Sequence, residues 1–168
     1  MNTAFNLIIA CVMSLISLNC NALDGHYAES FRKNLWLIID RHPHYSWGGS
    51  ESEQKGVDRS GYLYLAAKRS GIPVKRVTAI QMRAGNGGWT GKDINLERAV
   101  ELDIVFWTWK ESPNRPHGHV GAFITGRQSD LLEVTHSSSS RGVVVQELKG
   151  QLLRDISTIR KLDIGHKN

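Results

Sequence analysis

The chain has 168 residues, with 21 Lys+Arg against 16 Asp+Glu, a formal net charge of +5 and only 2 Cys. Both cysteines, Cys11 and Cys20, lie in an apolar leader, so residues 23–168 exclude a disulfide framework, a Cys-ligated metal site and thiol catalysis. The basic residues are scattered without a Lys/Arg block, so no nucleic-acid partner is expected; a basic exported chain instead meets anionic material such as cell-wall polymer.

The leader runs from Leu7 to Leu18 and continues Asn19-Cys20-Asn21-Ala22. It reads as a secretory signal cleaved after Ala22. It is shorter than the roughly 20 apolar residues of a spanning helix, so no stable membrane insertion is expected. Leu18 and Asn19 are bulky where a lipid-modified cysteine calls for small residues. The expected product is one domain, residues 23–168, exported to the periplasm or the extracellular space and acting as a monomer.

Phe31, Leu35, Ile38 and Ile39 recur at helical spacing and predict a helix over 27–41, stopped by Pro43. A polar, glycine-bearing loop follows over 42–57. Asp58 predicts the N-cap of a helix through 70, ended by Gly71 with Pro73 beyond. Thr78 predicts the cap of a shorter helix through 83, and 85–89 reads as a loop. The period then changes. Residues 103–109, 119–124, 131–136 and 142–147 are β-rich runs with turn signals between them, and 156–164 alternates as one more strand. Helices first and an antiparallel meander second predict an α+β domain.

Three segments stand out together. They are Tyr45-Ser46-Trp47-Gly48-Gly49, then Gly56-Val57-Asp58-Arg59-Ser60-Gly61 at a helix start, then His119-Val120-Gly121 with His136 on the next strand. The set resembles the NlpC-type cell-wall peptidases, papain-like cysteine hydrolases of peptidoglycan peptides, over roughly residues 27–164. The resemblance implies a papain-like fold with N-terminal helices packed on an antiparallel β-sheet, no cofactor, and peptidoglycan stem peptides as partner. It also implies roles for single residues. His119 takes the nucleophile's proton and returns it to the leaving amine, and His136 orients the His119 ring. Tyr45 donates to the oxyanion beside the backbone N–H at position 59. Asp58 receives a substrate amine, and Ser60 and Trp47 contribute to the substrate groove.

The physics of such a set is general. A thiol at a helix N-terminus faces the positive end of the macrodipole, which favours the thiolate. An imidazole on a neighbouring strand serves as base and then as acid, held by a third polar group. This chain departs from that pattern at its centre, because the family's cysteine corresponds to Arg59. A guanidinium is always cationic and is no nucleophile. Ser60 lies about 100° further round the helix and so faces elsewhere.

The expectation is a hydrolase fold that does not hydrolyse by the family's mechanism. Whether the chain is an enzyme is left open between two explanations: a natural non-catalytic module binding peptidoglycan peptides or a partner, and a working hydrolase whose nucleophile has been replaced. An exported binding module of unrelated ancestry is a third reading, and it would leave His119 and His136 far apart. Trp89, in a glycine-rich loop, could line the groove or pack in the core. Residues 88–93 are discounted as a phosphate loop, since Asn86 and Asp93 replace a required glycine and Ser/Thr. A zinc site from His117, His119 and His136 is discounted too, because His117 ends a Pro-containing loop and no carboxylate is placed as a base, so no metal is expected.

Overall fold

The computed structural model describes residues 25–108, 118–126 and 131–163. The expected leader, Trp109, His117 and the end of the last expected strand lie outside the described residues. Helix α1 (Gly25–Asp40) buries Phe31, Leu35, Ile38 and Ile39, the stripe that its spacing predicts. Helix α2 (Gly61–Arg69) buries Tyr62, Leu63, Leu65, Ala66 and Ala67. It starts at Gly61 because the Asp58 carboxylate accepts the Ser60 and Gly61 backbone N–H groups, spending two of the helix's orphan donors before the first turn. Helix α3 (Ala79–Arg83) opens on the expected Thr78, whose hydroxyl and the Gln81 side chain form a capping box.

The strands are β1 (Gly91–Ile94), β2 (Ile104–Trp107), β3 (His119–Phe123), β4 (Glu133–Ser138), β5 (Gly142–Glu147) and, after the short helix α4 (Gly150–Arg154), β6 (Ile156–Leu162). They form one sheet in the order β1-β6-β2-β3-β4-β5, antiparallel at every pairing. The domain is therefore α+β. The meander covers β2 to β5 only. β6 returns to the far side of β2, and β1 lies along it with Gly91 opposite Leu162. β1 was not expected, because Gly-Lys-Asp-Ile carries little β propensity and takes its extended form from pairing with β6.

One core joins Phe31 and Leu35 of α1 and Tyr62 and Leu63 of α2 to Ile104, Phe106, Val120 and Ala122 of the sheet. The alternate sheet residues Val105, Trp107, Phe123, Val134 and Ile159 form a second core on the other face, with Leu96 and Leu152 against it. Trp89 belongs to the first core: it is fully buried and its indole N–H donates to the Lys75 carbonyl at 3.0 Å, so it does not line a groove. Among the described residues no helix is long and apolar enough to cross a membrane.

The loop before α2 is pinned by Glu53. Its buried carboxylate takes two N–H groups from Arg69, one of them at 2.7 Å, and one from Arg41 at 3.0 Å, tying the loop to the C-terminal ends of α1 and α2. The Arg69 hydrogen bonds, against the opposing effect of burial, hold the carboxyl at about 2 where 4.5 is ordinary. A carboxyl whose folded pKa is depressed stabilises fully above its unfolded value and loses that contribution as pH falls towards the folded one. Glu53→Gln is therefore expected to be destabilised at neutral pH and to converge on the parent protein as pH drops from 4.5 to about 2. Urea unfolding of both proteins across that window measures it, and a constant gap would remove the charge of Glu53 from the account.

Candidate functional site

The start of α2 is fastened on two sides. Val57 bridges Tyr45 in a short parallel pairing, and the Asp58 N–H donates to the Gly49 carbonyl at 2.9 Å. A Cβ at Gly61 would lie 1.9 Å from that same carbonyl oxygen, so only glycine lets the 45–49 loop press onto the helix. On the other side, the buried Tyr62 hydroxyl donates to the Thr135 carbonyl at 2.7 Å, and the Ser137 hydroxyl donates to the Val57 carbonyl at 3.1 Å. Those contacts set position 59 beside the strand that carries His136.

Asp58 is buried and both of its carboxylate oxygens are engaged. Oδ1 accepts from the Ser60 N–H at 3.0 Å, the Gly61 N–H at 2.7 Å and the Ser60 hydroxyl at 3.3 Å. Oδ2 accepts from the Gly48 N–H at 3.1 Å and from the Arg76 guanidinium. Arg76 also donates to the Ser60 hydroxyl at 2.6 Å and to the Val77 carbonyl. The Ser60 hydroxyl thus donates a hydrogen bond to Asp58 and accepts one from Arg76. Sequence reasoning missed Arg76, which sits in a linker with no motif around it.

Arg59 is half-buried. Its Nη1 donates to the Tyr45 hydroxyl at 3.0 Å, and its guanidinium carbon lies 5.2 Å from the centre of the Tyr45 ring. Burial raises the pKa of that phenol, with Asp58 adding to the effect and the Arg59 charge opposing it, so the hydroxyl keeps its proton at neutral pH. Tyr45, Trp47, Arg59, Arg76 and Gly118 line a cleft of about 160 Å³, with Asp58 and Ser60 at its base. Gly118 precedes His119 in the chain. Trp47, at 66% exposure, stands at the rim.

The two histidines, on the neighbouring strands β3 and β4, meet. His119 Nε2 and His136 Nδ1 are 3.0 Å apart, both residues are buried, and the Trp107 ring packs against them at 5.2 and 6.0 Å. An unrelated binding module gave no reason for that approach. His136 Nε2 reaches Gln146 Oε1 at 2.6 Å, and Arg141 Nη2 donates to the same oxygen at 2.7 Å.

That last contact fixes the protons along the chain. Arg only donates, so the atom it meets is the amide oxygen of Gln146 and not its nitrogen. The oxygen accepts, so His136 Nε2 carries a proton and His136 Nδ1 accepts one from His119 Nε2. With both rings neutral, the His119 lone pair then lies on Nδ1. Burial lowers the pKa of His136, the Gln146 hydrogen bond opposes this, and the charges of Arg141 and Arg59 lower it further. The ring is neutral at neutral pH, as the proton chain requires.

The arrangement holds two hydrogen-bonded imidazoles, a phenol hydroxyl able to donate, and a guanidinium at the helix start. The expected residues Tyr45, Trp47, Asp58, Arg59 and Ser60 share the cleft, and His119 and His136 share the hydrogen-bonded chain. Gln146 and Arg141, which complete that chain, were not foreseen. Among the described residues no His/Cys/Asp/Glu group is arranged to hold a metal ion.

No family model matches the sequence, and no curated protein matches it. The fold is similar to that in a crystal structure of a protein described as similar to lipoprotein, NLP/P60 family, from Staphylococcus aureus, with a TM-score of 0.62 and 18% sequence identity. The match covers 87% of this chain and 44% of the other, so this chain spans less than half the length of that neighbour. The likeness is one of fold: helices and an antiparallel sheet in a distant NlpC/P60-like arrangement.

Proposed function

We propose that this chain is an exported domain that binds peptidoglycan stem peptides in the cleft over Arg59 and does not cut them, on the fold of an NlpC-type cysteine hydrolase. The observation that carries the reading is the guanidinium of Arg59, bonded to the Tyr45 hydroxyl at the helix start where such a hydrolase keeps its thiol. The leader with its small residue at Ala22 supports export, and the fold likeness supports the cell wall as the place of action. In this reading Tyr45, Trp47 and the start of α2 form the binding surface. His119 and His136 keep the geometry of a base without a nucleophile to serve.

Incubation of the purified protein with insoluble peptidoglycan tests both halves. The protein is expected to sediment with the wall material, and chromatography of the supernatant is expected to show no released muropeptides. New muropeptides would overturn the absence of cleavage, and protein left wholly in solution would overturn the binding. A second reading, a hydrolase whose nucleophile has been replaced, is favoured by the proton chain from Gln146 to His119, which leaves the lone pair on the nitrogen a thiol base requires.

A further inference from the structure

We infer that the cleft is a carboxylate receptor, in which Arg59 takes a carboxylate of an acidic peptide and Asp58 is not open to a free amine. The inference rests on the reading above for the ligand being a wall peptide, and on the charges in the cleft for the rest. Among the described residues three charged side chains line it: Asp58, Arg59 and Arg76. Arg76 and Asp58 are bonded to each other, so their charges cancel locally. Arg59 has no carboxylate within ion-pair distance among the described residues, and Tyr45 takes one of its five N–H donors. Among the described residues the cleft therefore presents one uncompensated cation, Arg59.

The surroundings of that cation sharpen the choice of ligand. The Tyr45 ring lies beside the guanidinium and Trp47 borders the opening, so an arriving anion leaves water as it binds and interacts with Arg59 in a medium of lower polarity. A planar guanidinium matches a carboxylate through two parallel charge-assisted hydrogen bonds, which an amide cannot reproduce. The cleft, of about 160 Å³, receives a side-chain-sized group of a peptide that otherwise lies along its opening.

The amine alternative fails on the same contacts. A substrate ammonium directed at Asp58 finds its Oδ2 held by Gly48 and Arg76, and its Oδ1 held by Ser60 and Gly61. It would have to displace a guanidinium and then sit beside it, where like charges repel. Arg76 thus holds Asp58 as an internal prop, and Arg59 supplies recognition of the opposite sign.

Isothermal titration with two probes tests this: N-acetyl-alanyl-glutamate, and the same dipeptide as its diamide. The unaltered protein is expected to bind the acid about tenfold or more tightly than the diamide, and Arg59→Ala is expected to erase the difference. Arg59→Lys, which keeps the charge but not the fork, is expected to retain part of it. Equal affinities of the unaltered protein for acid and diamide would overturn the inference without any variant. So would an undiminished preference in Arg59→Ala, or no binding of the acid at all. Sedimentation with insoluble peptidoglycan keeps the two readings apart. Protein that sediments but shows no acid preference defeats the carboxylate receptor alone. Protein that does not sediment defeats wall binding itself.

Discussion

Arg59→Cys is expected to turn the protein into a peptidoglycan hydrolase, releasing muropeptides that the unaltered chain does not release. The thiol would stand ahead of the nine-residue helix α2, where the macrodipole favours the thiolate. His119 would take its proton on Nδ1, the nitrogen on which the Arg141–Gln146–His136 chain leaves the lone pair. The thiolate would attack the scissile carbonyl, the imidazolium would protonate the leaving amine, and water would hydrolyse the thioester. Removing Arg59 also releases the Tyr45 hydroxyl, whose raised pKa keeps its proton available for the developing oxyanion.

The size of the effect follows from how much each part contributes. The unaltered chain has no nucleophile, so the gain is from background to a measurable rate. Within the Arg59→Cys protein, His119→Ala should then cost about a hundredfold to ten-thousandfold, the usual worth of a positioned general base. Arg59→Ala should release nothing, which separates the arrival of the thiol from the departure of the cation. Chromatography of digested wall is the measurement. If Arg59→Cys keeps the circular dichroism of the parent and still yields no products, the hydrolase ancestry of the site loses its chemical support.

The residues that the sequence made legible are those whose signal is local. The stripe Phe31, Leu35, Ile38 and Ile39 declares a helix face by spacing alone, and all four are buried. The runs that became β2 to β5 declare themselves by β-branched and aromatic content. Thr78 declares a helix start because its hydroxyl suits the capping position, while the answering Gln81 was found only in the structure. Tyr45, Asp58, His119 and His136 could be named because the short segments that carry them, taken together and in order, resemble the NlpC-type pattern.

What was not legible depends on partners distant in the chain. β6 pairs with β2, and no local pattern says on which side of the meander a last strand returns. β1 exists because β6 is there to receive it. Gln146 and Arg141 are ordinary polar residues until β4 and β5 align them with His136. Arg76 reads as one more linker cation, and only the fold brings it to Asp58, eighteen positions earlier. Trp89 shows the same limit, since its glycine-rich neighbourhood left groove and core both open and its indole is sealed in the core.

Asp58→Ala is expected to be the most damaging single substitution in the site, at about 3–5 kcal/mol of folding stability, the usual cost of removing one partner from a buried ion pair. Five groups lose this acceptor together: the N–H groups of Gly48, Ser60 and Gly61, the Ser60 hydroxyl, and the guanidinium of Arg76. The helix start loses its cap, the 45–49 loop loses its tie to that helix, and a partly buried cation is left unpaired. Arg76→Ala should cost less, about 1–3 kcal/mol, because the carboxylate it leaves behind still accepts three backbone N–H groups. The double variant should be more stable than Asp58→Ala alone, since it no longer contains the stranded guanidinium. Urea unfolding of the three variants ranks them. Asp58→Ala within about 1 kcal/mol of the parent would mean that water satisfies these donors. The carboxylate would then be free to serve a ligand, which would also reopen the amine recognition that its internal contacts now exclude.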